Sequence, residues 1–449
     1  MLGWQYTVTL SGSVPSLAAV SLTMTGVATR RVCVDMGGAE RFVRNVEQIL
    51  DGGKTQALQQ DGECWRLVDG RSKVRRLSYQ YDLWAAAERF SSADLVERSG
   101  ESLTFSDEAV LLRPDQLPSQ SPSAPIEVEF IVQSGVRVSA PWEKLPGPGI
   151  RYRLDAAQYD GGSYITVGRF RTLDPIRLAN TLVEIELVGS PRASDGTLRT
   201  WIEQSVRLSA GFYRELMPSP LHIVLVAVPG RRDLGIFGTV LRPLRPSLVI
   251  YFGGEAEQLS LHDDWVSTHE VFHVGNPMLR RKMPWFVEGF TTYYADVLRV
   301  RGGALSSEEA WSELWESMQR NCQPKGTSLA TESEQLRQTF HYPRVYWGGA
   351  CLALLLDVEI RIRSHGKRSL DDAMRELRAR SLTGRLDEEA VIAGLGRDIT
   401  PALVRRYLNE QKALPLTETL RSIGVEPLGP SRVRLRDEAP QASIRRAMF

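Results

Sequence analysis

The sequence predicts an α+β chain of several domains: a β-rich, sandwich-like N-terminal part, a small sheet packed beside helices, and an α-helical C-terminal part. Three observations carry this expectation. Up to about residue 170, short runs of alternating apolar and polar residues are separated by turn-rich breaks, the pattern of half-buried strands. From about residue 175, longer apolar runs flank one helical stretch. Beyond residue 304, helical periodicity takes over almost completely. At 449 residues the chain is long enough for two or three domains with substantial cores.

In chain order, strands are expected at 6–10, 18–24, 31–34, 74–81, 126–132 and 164–170. Ile126-Glu127-Val128-Glu129-Phe130 alternates strictly, as one face in the core and one in water require. Breaks at 118–125 and at Leu145-Pro146-Gly147-Pro148-Gly149 punctuate this region. A strand at 182–188 follows, then a helix at 198–216 with Leu198, Trp201, Ile202, Leu208 and Phe212 on one side, then strands at 221–228 and 247–252. Later helices are expected at 307–320, 346–363, 370–377, 387–395 and 401–411. These elements divide the chain into 1–172, 173–303 and 304–430. Residues 431–449 read as a solvated polar, basic tail.

Composition narrows the function. With 42% hydrophobic and 24% charged residues the chain is globular, and its net charge of +1 gives no ground for a nucleic acid or an anionic membrane as partner. No apolar run of about eighteen residues exists, so no membrane span is expected. The start, Met1-Leu2-Gly3-Trp4-Gln5-Tyr6, lacks the basic and long apolar stretches of a signal peptide. The expected location is cytoplasmic, or exported if a leader has been removed. Cys33, Cys64, Cys322 and Cys351 form no CxxC pair. Four free thiols are expected, and a Cys33–Cys64 disulfide is the alternative that would indicate export.

Chemistry concentrates at His269-Glu270-Val271-Phe272-His273. On a helix the two histidines stand one turn apart on the same face, where both imidazoles can hold one zinc ion and Glu270 lies beside it as a general base. A bare pentad also fits a surface helix. Here two of only six histidines fall in it, and Trp265, Val266, Phe272 and Val274 supply apolar surface for burial. Ser260 with Asp263 reads as an N-cap, and Gly275-Asn276-Pro277 as a stop. A third ligand is needed, and Glu288 is the best candidate. Fourteen residues separate it from His273, enough for a loop and the start of a second helix opened by Pro284 and running through Phe286, Phe290, Tyr293, Tyr294 and Val297. Two His and one Glu leave a fourth position open, the pattern of catalytic sites. Thr292 and Asp296 are candidates to support the ligands. His222 in an apolar strand and His262 seven residues before His269 read as structural.

The pentad paired with Trp285-Phe286-Val287-Glu288-Gly289-Phe290-Thr291-Thr292-Tyr293-Tyr294 resembles the gluzincin metallopeptidases, specifically the glycyl-aminopeptidase type, metallopeptidase family 61. The similarity extends to Glu40-Arg41-Phe42-Val43-Arg44-Asn45-Val46, Cys64-Trp65-Arg66-Leu67 and Leu77-Ser78-Tyr79-Gln80-Tyr81, to Tyr346-Trp347-Gly348-Gly349-Ala350, and to residues 407–424. The resemblance implies a thermolysin-like zinc catalytic domain at 173–303 between the β-rich and helical parts. It implies one Zn²⁺ per chain, a peptide or protein substrate, and Tyr346 as hydrogen-bond donor to the oxyanion. His341 is a second candidate for that task. Zinc would bring the pKa of a water towards ~7, and Glu270 would move its proton to the leaving amine. Two departures follow. No sequence remains after Phe449 for the family's PDZ domain, so PDZ-mediated recognition is not expected. The segment matching the strand that reads a substrate's free amine, Gly235-Ile236-Phe237-Gly238-Thr239, has no carboxylate. Beside the peptidase stand two other readings: a non-catalytic peptide-binding or scaffold protein on a peptidase fold, and a zinc hydrolase of a non-peptide substrate.

Overall fold

A computed structural model describes residues 3–26, 29–68, 74–90, 92–115, 125–178, 180–323 and 326–449. The break expected at 118–125 lies, but for Pro125, outside them. The chain divides into two compact units, 1–199 with 218–258, and 200–217 with 259–449. The sheet of the central region therefore groups with the β-rich part, and the histidine pentad groups with the C-terminal helices. Helix Asp195–Tyr213 begins in the first unit and ends in the second.

The first unit is built on sheets. Gly3–Leu10 alternates so that Trp4, Tyr6, Val8 and Leu10 are buried. It pairs antiparallel with Leu17–Thr25 and parallel with Ile126–Val132, Trp4 facing Ile126. These are the central strands of an eight-stranded sheet whose inner face shares one core with Leu103, Phe105, Ile165 and Val167 of a four-stranded sheet. That is the sandwich-like packing the alternation predicted. A second four-stranded sheet holds Arg31–Cys33 against Cys64–Arg66 with Cys33 opposite Cys64. The register brings the two thiols together, and they form a disulfide. The expectation of four free thiols is corrected at this pair; Cys322 and Cys351 are free and buried.

The five-stranded sheet runs Arg171–Leu178, Thr181–Val188, Leu221–Val228, Ser247–Gly253, Gly235–Leu241. Thr181–Val188, Leu221–Val228 and Ser247–Gly253 are parallel. The last two are apolar nearly throughout, as strands buried on both faces must be. Gly235–Leu241 pairs antiparallel at the edge and is mostly half-exposed.

The second unit is helical. Val266–Gly275 and Pro284–Arg301 carry the pentad and Glu288, and Tyr342–Arg363 carries Tyr346. The last two cross at glycine: a Cβ at Gly289 would fall 2.3 Å from Gly349 Cα, and one at Gly349 would fall 2.2 Å from the Trp285 carbonyl oxygen. Only the missing side chains permit this approach, and it fixes Glu288 against the helix of Tyr346. Residues 431–449 are not a solvated tail. Val433–Leu435 pairs with Val425–Pro427, and Ala442–Met448 is a helix that buries Ala442, Ile444 and Met448. Arg301 donates to the Met448 carbonyl at 2.7 Å, and Phe449 packs on Trp311. The few apolar residues there are spaced to one helix face, which an average over a basic segment conceals.

Candidate metal centre

The pentad helix is placed by its surroundings. It begins at Val266, and the expected cap at Ser260 is corrected: residues 261–264 form a separate turn. Asp264 takes the capping role, accepting from the backbone N–H of Val266 at 2.8 Å and of Ser267 at 3.2 Å, while Trp201 Nε1 donates to it at 2.8 Å. Phe272, on the flank beside the two histidines, sits among Phe212, Tyr213 and Tyr294, with ring centroids 4.9–5.1 Å apart. Aromatic packing on that flank holds the rotation of the helix that carries His269 and His273. The helix stops at Gly275 as expected, where a Cβ would strike the Tyr213 ring at 2.1 Å.

Three donor atoms converge. His269 Nε2 and His273 Nε2 are 3.0 Å apart, and Glu288 Oε2 lies 3.4 Å from the first and 3.2 Å from the second. Tetrahedral ligands at about 2.0–2.1 Å from an ion stand about 3.3 Å from one another, so the triangle fits a metal. Electrostatics gives the same answer. Three lone pairs facing each other in a buried site repel unless a cation sits among them. Burial holds the His269 pKa down to about 4, keeping its imidazole in the neutral, ligating form. Burial opposes ionisation of Glu288, but positive charge and N–H donors on the side of the two imidazoles, the place a cation would take, outweigh it and hold its carboxyl well below the usual range.

Glu270 is buried and is not one of the three converging groups. Burial, and then the charge of Glu288, raise its pKa well above the usual carboxylate value. Tyr346 is stacked parallel on His269, with centroids 6.0 Å apart and planes 3° apart. Burial raises its phenol pKa strongly, with Glu288 and Glu270 adding to the effect, so it is held as a donor. His341 is not brought in. Its Nδ1 lies 3.0 Å from Glu332 Oε2 and its side chain is 57% exposed. His262 is exposed and pairs with Asp263 and Glu309. His222 is buried with neither ring nitrogen partnered among the described residues.

The ligand support differs from the expectation. Asp296 pairs with Arg299 at 2.9 Å, and Thr292 donates to the Glu288 carbonyl at 2.8 Å, so neither reaches a ligand side chain. Thr291 does. With Nε2 of His273 in the converging set, its Nδ1 faces Thr291 Oγ1 at 3.3 Å and Asn276 Nδ2 at 3.2 Å. Thr291 passes its own proton to the Val287 carbonyl at 2.6 Å and accepts from Asn276 Nδ2 at 2.8 Å. Asn276 accepts in turn from the Tyr213 hydroxyl at 2.8 Å. The signal available in the sequence was helical spacing: Asn276 follows His273 by three residues, and Thr291 follows Glu288 by three.

A cleft of about 900 Å³ opens onto this centre, with Glu288, Tyr346, Tyr342 and Trp285 in its lining.

Residues 267–345 match the family model for M61 glycyl aminopeptidase. The pentad segment is of M61 type. The chain is similar over 97% of its length to an aminopeptidase N family protein from Idiomarina loihiensis, covering 82% of that structure at 17% identity and a TM-score of 0.79. An M1 zinc metallopeptidase from Deinococcus radiodurans aligns over 95% of both chains at 14% identity and a TM-score of 0.60. A mutant of that enzyme bound to a Tyr-Ser-Ala substrate aligns over 92% of this chain and 95% of its own, with the same identity and score. At these identities the likeness shows the fold alone, an α+β multidomain architecture. No curated relative matches in sequence.

Proposed function

We propose that the protein is a zinc-dependent peptidase in which His269, His273 and Glu288 hold the ion, Glu270 is the general base and Tyr346 the donor to the developing oxyanion. One observation carries this: two imidazole nitrogens and a carboxylate oxygen meet within 3.0–3.4 Å, and a further buried carboxylate belongs to the residue next to a ligand. Zinc, when bound, supplies a Lewis acid that polarises a carbonyl and acidifies water. Glu270 accepts the proton of the attacking water at its carboxylate and returns it to the leaving nitrogen. Its raised pKa favours holding that proton between the two transfers. The protonated phenol of Tyr346 donates to the carbonyl oxygen as charge builds there, a contribution of about 3 kcal/mol for a well-placed donor. The parallel stack on His269 fixes the phenol ring relative to the ligand set.

That Gly235–Leu241 carries no carboxylate argues against strict dependence on a free substrate amine. The Cys33–Cys64 disulfide supports an oxidising compartment in place of the cytoplasm. No helix among the described residues is long and apolar enough to cross a membrane. One cleaved peptide, offered with a free and with an acetylated N-terminus to zinc-loaded protein, tests the specificity. Comparable kcat/KM supports it, and loss of cleavage on acetylation contradicts it.

A further inference from the structure

We propose that the cleft beside Glu288 and Tyr346 binds a carboxylate of the substrate through Arg281, Lys282 and Arg337. This inference rests on the peptidase reading and names its substrate class. The cleft lining contains those three cations together with Arg280. Its acidic residues other than Glu288 are Glu334, Asp387, Glu388 and Glu389. What separates the two sets is their partners. Asp387 caps a helix by accepting from Ala390 N–H at 2.9 Å, Glu388 accepts from Trp285 Nε1 at 3.1 Å, and Glu389 pairs with Arg405. Arg280 donates to the Arg385 carbonyl at 3.1 Å. Arg281, Lys282 and Arg337 have no hydrogen-bond or ion-pair partner among the described residues, and the one acidic group in the same position is Glu334. The charge the cleft leaves available to a ligand is therefore cationic.

The mounting is stiff enough for recognition. The segment 276–283, which carries Arg281 and Lys282, joins the helix of His273 to the helix of Glu288. It is stapled to a neighbouring loop by Leu386 N–H to the Met278 carbonyl at 2.9 Å and by Arg280 N–H to the Leu386 carbonyl at 2.8 Å. Lys282 stands six residues before the ligand Glu288. Arg337, on the short helix Leu336–Thr339, stands nine residues before Tyr346. Two guanidinium groups and an ammonium on segments leading into the site match a carboxylate, which accepts two parallel hydrogen bonds from one arginine. The carboxylate can be an Asp or Glu side chain or the peptide's C-terminus.

The test uses zinc-loaded full-length protein and one cleavable peptide in four forms: Glu or Gln at a fixed position, each as free acid or C-terminal amide. The expected result is a KM lower by about tenfold for the carboxylate-bearing form, the size of one charge-assisted hydrogen bond. The arm in which it appears identifies the side chain or the terminus. Arg281→Gln, Lys282→Gln and Arg337→Gln combined bring the forms to within about twofold of one another. Calorimetric binding of the same peptides to Glu270→Gln protein reads the preference without turnover. Equal KM and Kd for all four forms overturns the proposal, as does a preference that survives the triple substitution. Selective binding without cleavage leaves this proposal standing and removes the peptidase reading. Cleavage without selectivity does the reverse.

Discussion

Two segments bury histidine, and they differ in what surrounds it. In strand Leu221–Val228, His222 is 2% exposed and both ring nitrogens lack a partner among the described residues. In helix Val266–Gly275, His269 and His273 are as deeply buried, yet their Nε2 atoms face each other and Glu288. Burial lowers the pKa of both His222 and His269 to about 4. A depressed pKa therefore does not distinguish a site from a core residue. Convergence does: one helix places donors every turn on one face, and a second helix returns a carboxylate to them, whereas no donor among the described residues is brought to the ring nitrogens of His222.

Substitutions can break or sharpen this contrast. The largest effect is expected of His273→Ala, which removes one of three ligands: bound zinc, measured by elemental analysis after gel filtration, is lost, and peptide cleavage falls by about 10³-fold or more. His222→Leu is expected to leave zinc content and kcat unchanged. Its effect is on acid stability. His222 is neutral when folded until about pH 4 but binds a proton near 6.5 when unfolded. Wild-type stability is therefore complete above pH 6.5 and lost as pH falls towards 4, by about 3 kcal/mol from this group. In denaturant titrations across that window the Leu variant should show a flatter slope, with the share due to His269 remaining.

Gly349→Ala should cost about 1–3 kcal/mol in thermal unfolding, because its Cβ meets backbone and no rotamer change relieves it. It should also lower kcat, since the helices of Glu288 and Tyr346 meet there. The smallest effect separates neighbours on one helix. Thr291→Val should weaken zinc affinity about 10–100-fold in chelator competition, while Thr292→Val stays within about twofold.

The convergence of His269, His273 and Glu288 was legible in the sequence because helical spacing alone puts the two histidines on one face, and because Pro284 announces the helix that carries Glu288. The strands and long helices were legible from periodicity. The disulfide was not, since it depends on the register that sets Cys33 opposite Cys64 across 31 residues. Neither was Asp264, whose capping depends on where residues 261–264 turn. The choice of Thr291 over Thr292 and Asp296 required the angle between two helices, which no single-helix pattern contains. His341 and Tyr346 both preceded or opened a helical run. Tyr346 packs on His269, whereas His341 is held on Glu332 by a hydrogen bond at 3.0 Å.

The most direct measurement is the cleavage rate of zinc-loaded Glu270→Gln protein beside its measured zinc content. With the ion retained at one per chain, kcat is expected to fall by about 10²–10⁴-fold. A zinc-loaded Glu270→Gln protein that cleaves peptide at the wild-type rate would contradict the assignment of Glu270 as the base.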